Sequence, residues 1–149
     1  MDFGRKVVPN SVSPLKPQEL VITLDNNYSE RMNDGDFTCY LVSKTDPTVT
    51  RSLVIVKVSN SAKAITAMYT GADSGDYYVQ VISSSIGRID KTLMELFVGA
   101  KVTSVTPVTG SYLGGTLLTI DGENFSDDIL NNSVKVGDTD CILETSSET

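Results

Sequence analysis

Residues 104–125 read SVTPVTGSYLGGTLLTIDGENF, and a weaker copy, SVSPLKPQELVITLDNNY, occupies residues 11–28. Ser11-Val12-Ser13-Pro14 aligns with Ser104-Val105-Thr106-Pro107 at an offset of 93 residues. Thr23-Leu24-Asp25 aligns with Thr119-Ile120-Asp121 at an offset of 96, and Tyr28 stands where Phe125 does. The drift falls in the loop at 16–19, opposite Gly114-Gly115. Self-similarity at nearly one domain length predicts two tandem modules of one kind. The expected division is a leader over 1–5, a complete module over 6–100, and the N-terminal part of a second, truncated module over 101–149.

Working outward from the repeat, apolar residues recur every second position and almost nowhere every third or fourth. Leu20 to Leu24 is a β-branched-rich run expected to form a buried strand, stopped by the turn residues Asp25-Asn26-Asn27. Phe37, Cys39 and Leu41 make one face of the next strand and Thr38, Tyr40 and Val42 the other. Further strands are expected over 12–15, 53–58, 64–69, 77–82 and 93–98, and residues 1–10 are read as a leader strand or tail. No helix is predicted. Seven or so short strands separated by turns predict an all-β protein of antiparallel sandwiches. Val98-Gly99-Ala100-Lys101-Val102 leaves almost no linker, so the modules are expected to join as a stiff rod.

The chain has 149 residues, 40% of them hydrophobic and 21% charged, a globular composition. Twelve basic and 19 acidic side chains give a net charge of −7, which disfavours nucleic acid and anionic membrane as partners. There is no histidine, so the commonest general base and metal ligand is missing. No apolar run reaches the roughly 20 residues of a membrane span, and the N-terminus has no signal-peptide core. Two cysteines, Cys39 and Cys141, are too few to build a disulfide-held domain. Cys39 is read as a small apolar core residue. No nucleophile-elbow string surrounds any serine, so neither an enzyme nor a cofactor is expected. A second module of 49 residues is too short to bury a core alone.

The run from Gly71 to Val79, GADSGDYYV, resembles the D-x-G-x-Y-x-C signature of immunoglobulin-like domains, with Val79 in place of the cysteine. The resemblance implies that Tyr77 forms a tyrosine corner, its hydroxyl bonded to backbone just upstream, with Asp73 and Gly75 shaping the loop. An ordinary hairpin is the alternative. The missing cysteine implies that apolar packing, not an inter-sheet disulfide, holds this module.

Val105, Pro107, Gly110, Gly114-Gly115-Thr116, Leu118, Ile120, Gly122, Asn124-Phe125 and the Val134-Lys135-Val136-Gly137 turn resemble the TIG/IPT family over residues 102–143. This is the immunoglobulin-like (E-set) fold found in plexins, Rel-type transcription factors and fibrocystin-like surface proteins. The resemblance implies structural roles for Pro107, Gly114, Gly115 and Phe125. Gly110, Gly114 and Gly115 are expected at positive φ, and Phe125 as a plug at the base of the sandwich. In extracellular relatives the cysteine at the position of Cys141 often pairs with one on the next strand. None follows here, as expected of a truncated module.

The resemblance implies a scaffold, not an activity. The function expected is a non-catalytic structural or adhesive module of a larger cell-surface or extracellular protein, serving as spacer and protein-binding surface. Its partners are expected to be other protein modules or chains of the same assembly. The alternatives are a virion or sheath decoration protein and a carbohydrate-binding accessory module of an enzyme. Asn27, Asn124 and Asn131 head glycosylation sequons. Asp25 with Asn27, Asp34 with Asp36, and Asp121 with Glu123, Asp127 and Asp128 offer oxygen ligands to calcium, but none has a known loop spacing. They are read as solvated turn residues, and no metal site is assigned.

Overall fold

Alternation of apolar and polar residues commits the chain to half-buried strands, because successive side chains on a strand point to opposite faces. The computed structural model describes residues 4–89 and 94–147. It divides into two compact units, residues 1–99 and 100–149. The first holds β1 (Gly4–Val8), β2 (Ser11–Val12), β3 (Gln18–Leu24), β4 (Phe37–Ser43), β5 (Thr50–Ser59), β6 (Ala64–Tyr69), β7 (Gly75–Ser83), β8 (Gly87–Arg88) and β9 (Glu95–Val98). The second holds β10 (Lys101–Thr106), β11 (Thr119–Glu123), β12 (Lys135–Val136) and β13 (Thr139–Asp140). The only helical piece among the described residues is a 3-10 turn, Ile129–Asn131.

In the first unit, β1, β3, β6 and β5 form one layer and β5, β4, β7, β9 and β2 the other, with β8 beside β7. One strand therefore serves both. Residues 50–53 of β5 pair with β4, and Val54 onward pairs with β6. On the opposite side β1 pairs with β3, and after a short bend β2 joins β9. Both flanks of the sandwich are thus closed by strands that change layer, which leaves little exposed edge for stray pairing. The β2–β9 pair is parallel, an exception to the expected antiparallel pattern.

The core is what the alternation dictates. Leu20, Ile22 and Leu24 of β3, Cys39 and Leu41 of β4, Ile65 and Ala67 of β6, and Val79 and Val81 of β7 are all buried. Each aliphatic side chain removed from water contributes about 1.5–3 kcal/mol before the entropy of ordering is subtracted. β3 is the expected buried strand, with one face in the core and the other toward solvent. Val21 between the core positions is 39% exposed, so β3 belongs to an outer layer and not to a central one. The expected strand at 12–15 stops at Val12, with Pro14 outside it. β1 begins at Gly4, inside the stretch read as a leader. The residue expected to open β9, Leu93, lies outside the described residues.

In the second unit β10 pairs antiparallel with β11, and β12 with β13. The first ladder repeats that of β1 and β3 at a constant shift of 98 residues. Val8 pairs with Val21 as Thr106 pairs with Thr119, and Val7 with Ile22 as Val105 with Ile120. Even the irregularity is reproduced: one extra residue lies between Gly4 and Lys6, and one between Val102 and Ser104. This corrects the sequence alignment, which set Ser11 to Pro14 against Ser104 to Pro107. The strand ahead of Pro107 answers to the strand ahead of Pro9, while Ser11-Val12 lies in the other layer. Serine–proline punctuation recurs at strand ends generally, and here it masked the true register.

Candidate functional site

The loop between β6 and β7 carries the signature read from the sequence. Tyr77 is 4% exposed, and its hydroxyl donates to the Asp73 carbonyl oxygen at 2.8 Å, four residues upstream. This is the geometry of a tyrosine corner. Gly75 bends the chain at φ +153°, and the Asp73 carboxylate points outward, 3.7 Å from Arg51. Burial and the nearby Asp73 carboxylate push the Tyr77 phenol above its ordinary value. Tyr77→Phe removes the donor and leaves the packing in place. It is expected to cost about 1–2 kcal/mol, seen as a lower urea midpoint with an unchanged slope.

A second clamp was not legible in the sequence. Tyr28, 1% exposed, meets Ser83 through its hydroxyl at 3.2 Å and tilts against Phe37 at 6.1 Å between ring centres. Lys63, at φ +48°, sets its ammonium 5.8 Å from the centre of the Tyr28 ring and donates to the Glu30 carbonyl and to Asn60 Oδ1. Asn60 Oδ1 also accepts from the Met32 amide. The long loop after β3 is thereby pinned by residues more than 25 positions away. Only the turn string Ser59-Asn60-Ser61 hinted at it.

In the second unit, Gly114 and Gly115 stand at φ +85° and +76° in the loop between β10 and β11. Gly110, expected at positive φ, is not among the positive-φ residues. Its constraint is space, since a Cβ there would sit 3.3 Å from Thr116 Oγ1. Pro107 is exposed directly after β10. Gly122 is buried where β11 meets the Lys101 carbonyl, and the Phe125 ring occupies the space a Cβ on Gly122 would take. By the 98-residue shift Gly122 answers to Leu24, so the aromatic ring fills the place of that aliphatic side chain. A glycine pair, a Leu-x-Ile strand and a glycine roofed by phenylalanine make one building plan.

Residues 100–149 match the family model of the IPT/TIG domain. Domains of the TIG and immunoglobulin-like kind are commonly protein-interaction or structural modules. No curated protein matches the chain. Among solved structures, the chain is similar to the crystal structure of the Lin-41 filamin domain, at 8% identity and a TM-score of 0.41. The likeness covers 62% of this chain and 88% of that one.

The segment that matches this model buries little of its apolar surface. Val105 is 39% exposed, whereas its counterpart Val7 is 5% exposed. Tyr112, Leu113 and Ile142 are almost fully exposed. Cys141, in the same segment, is half-buried and a free thiol, as is buried Cys39. The Cys39 thiol is pushed up to about 12 by burial, which keeps it protonated and unreactive.

The remaining candidates are scattered. Asn27 and Asn131 are exposed, while Asn124 is half-buried at φ +64°. The acidic groups serve their own turns. Asp25 Oδ1 accepts from the Asn27 amide at 2.8 Å, Asp36 Oδ2 from the Asn33 amide at 3.1 Å, and Asp128 Oδ1 from the Leu130 amide at 3.0 Å. Asp121 accepts from the Ser104 hydroxyl across the ladder. Among the described residues no three His, Cys, Asp or Glu side chains gather where they could hold a metal ion. No helix among the described residues is long and apolar enough to cross a membrane.

Proposed function

We propose that the chain is a non-catalytic structural and adhesive module of a cell-surface or extracellular protein, spacing its neighbours and offering them a binding surface. The observation that carries this reading is the ladder repeated at 98 residues. Two units built on one strand plan suit a scaffold that extends by repetition. The first unit buries its aliphatic face and stands as a folded spacer. The second unit matches the IPT/TIG family model, a kind of domain that commonly serves protein interaction. A net charge of −7 directs it away from nucleic acid.

Chemical cross-linking with mass spectrometry on material from the native source tests this reading. Cross-links from Lys101 and Lys135 to other polypeptides are expected, together with glycans at Asn27 or Asn131. Intrachain links only would overturn the binding role. Bare asparagines at all three sequons would overturn the surface location.

A further inference from the structure

The chain holds two Asp-Gly pairs, Asp34-Gly35 and Asp121-Gly122. A glycine in second place lets its backbone nitrogen approach the aspartate side chain closely, because it carries no Cβ. The fold treats the two pairs differently. Asn33 to Asp36 is a turn ahead of β4, closed by the Asp36 amide donating to the Asn33 carbonyl at 3.3 Å. The Asp36 carboxylate closes it again, accepting from the Asn33 backbone amide at 3.1 Å and from its side-chain amide at 2.8 Å. Asp34 and Gly35 sit at the centre of this turn, both exposed, with Gly35 at φ +90°. Neither has a hydrogen bond or ion pair among the described residues, and a Cβ on Gly35 would meet nothing within 4 Å. Type I and type II turns differ in the rotation of this central peptide, so it turns without breaking the closing bond.

The second pair is held on both sides. The Asp121 carboxylate accepts from the Ser104 hydroxyl at 2.7 Å across the β10–β11 ladder. Gly122 is buried opposite Val102, with the Lys101 carbonyl and the Phe125 ring in the space a side chain would take. For the Gly122 nitrogen to reach the Asp121 side chain, the carboxylate must leave Ser104 and the strand pair must open.

We propose that Asp34 is a site of spontaneous backbone isomerisation, selected by the fold over Asp121. The Gly35 nitrogen attacks the Asp34 Cγ. An N–Cγ bond forms and a Cγ–O bond breaks. One water leaves, made of that carboxylate oxygen, the amide proton and a proton from solvent. Water then adds back to the five-membered imide. Opening at Cγ restores aspartate. Opening at the main-chain carbonyl breaks the original peptide bond and leaves the chain running through Cγ as isoaspartate. Either opening regenerates the carboxylate and returns the proton, so mass and charge are unchanged and water is the sole co-reactant. The product carries one more methylene in the backbone between Asn33 and Gly35, so the two closures of the turn lose their fit.

The test uses the full 149-residue chain, held for several weeks at neutral pH in water enriched in oxygen-18. Peptide fragmentation that separates isoaspartate from aspartate reads both sites in digests. Isoaspartate is expected at 34 with at least one oxygen-18, since each ring opening takes its oxygen from solvent. At 121 it should accumulate at least about 10-fold more slowly. In denaturing urea the two sites should differ by less than about 2-fold, because the ladder no longer shields Gly122. Asp34→Glu, which sets the carboxyl carbon one bond further away, should remove the signal at 34 and leave that at 121 unchanged. Four results would overturn the proposal: no isoaspartate at 34, equal accumulation at 121 in the folded chain, the same preference for 34 in urea, or a signal that survives Asp34→Glu.

Discussion

Ile22→Ala is expected to lower the stability of the first unit by about 3 kcal/mol, and Ile120→Ala that of the second by less than about 1 kcal/mol. The two isoleucines occupy the same rung of the same ladder, opposite Val7 and Val105 respectively. They differ in what lies over them. Ile22 is fully buried and faces Ile65 across β6, so truncation removes apolar contact and leaves a cavity that close-packed neighbours cannot fill. Ile120 keeps part of its surface in water, so truncation opens no enclosed void. For a unit of this size, 3 kcal/mol lowers the melting temperature by about 12–24 °C. Urea unfolding followed by exchange of the Val79 and Val81 amides reads the first unit, and exchange of the Ile120 amide the second. Equal losses at the two positions would show that the second unit is covered as fully as the first.

Alkaline conditions are expected to destabilise the first unit. Burial raises the Cys39 thiol from its ordinary 9.0 to about 12. Below pH 9 the thiol is protonated in both folded and unfolded chains, and stability does not depend on it. Between pH 9 and 12 the unfolded chain releases a proton that the folded chain retains, so stability falls as pH rises. At pH 10.5 the loss from this one group is about 2 kcal/mol, since each unit above 9 is worth about 1.4 kcal/mol. Tyr69 and Tyr77 act in the same direction, their phenols also being raised by burial. Urea unfolding at pH 8 and pH 10.5 measures the change. Cys39→Val should remove about 2 kcal/mol of the alkaline loss and leave the tyrosine share. If the variant and the parent lose stability equally between these two pH values, Cys39 is not the source.

The architecture was legible because period-two alternation needs no tertiary information. Phe37, Cys39 and Leu41 face inward as their spacing required, and Gly114-Gly115 marks a loop because two adjacent glycines suit positive φ. The register of the repeat was not legible. Two serine–proline strings offered a better letter match than Val7-Val8-Pro9 against Val105-Thr106-Pro107, and only the hydrogen-bonded pairs distinguish them. The layer change within β5 was equally hidden. Residues 50–59 form one uninterrupted strand whose partners are the strands just before and after it, and nothing in its residue pattern marks the point at which the pairing changes. Nor could a turn lysine be read as a clamp on Tyr28, because its partners are fixed only once the loop after β3 has folded back.

The parallel pairing of β2 with β9 has a mechanical consequence. These strands lie near the two ends of the first unit and are joined through Phe97 N–H to the Asn10 carbonyl and Gly99 N–H to the Val12 carbonyl. Tension applied at those ends slides one strand lengthwise past the other, so the bonds are strained together and not opened one at a time like a zipper. A unit tethered in this way resists stretching through shear, which is the loading a link in a load-bearing tether must withstand.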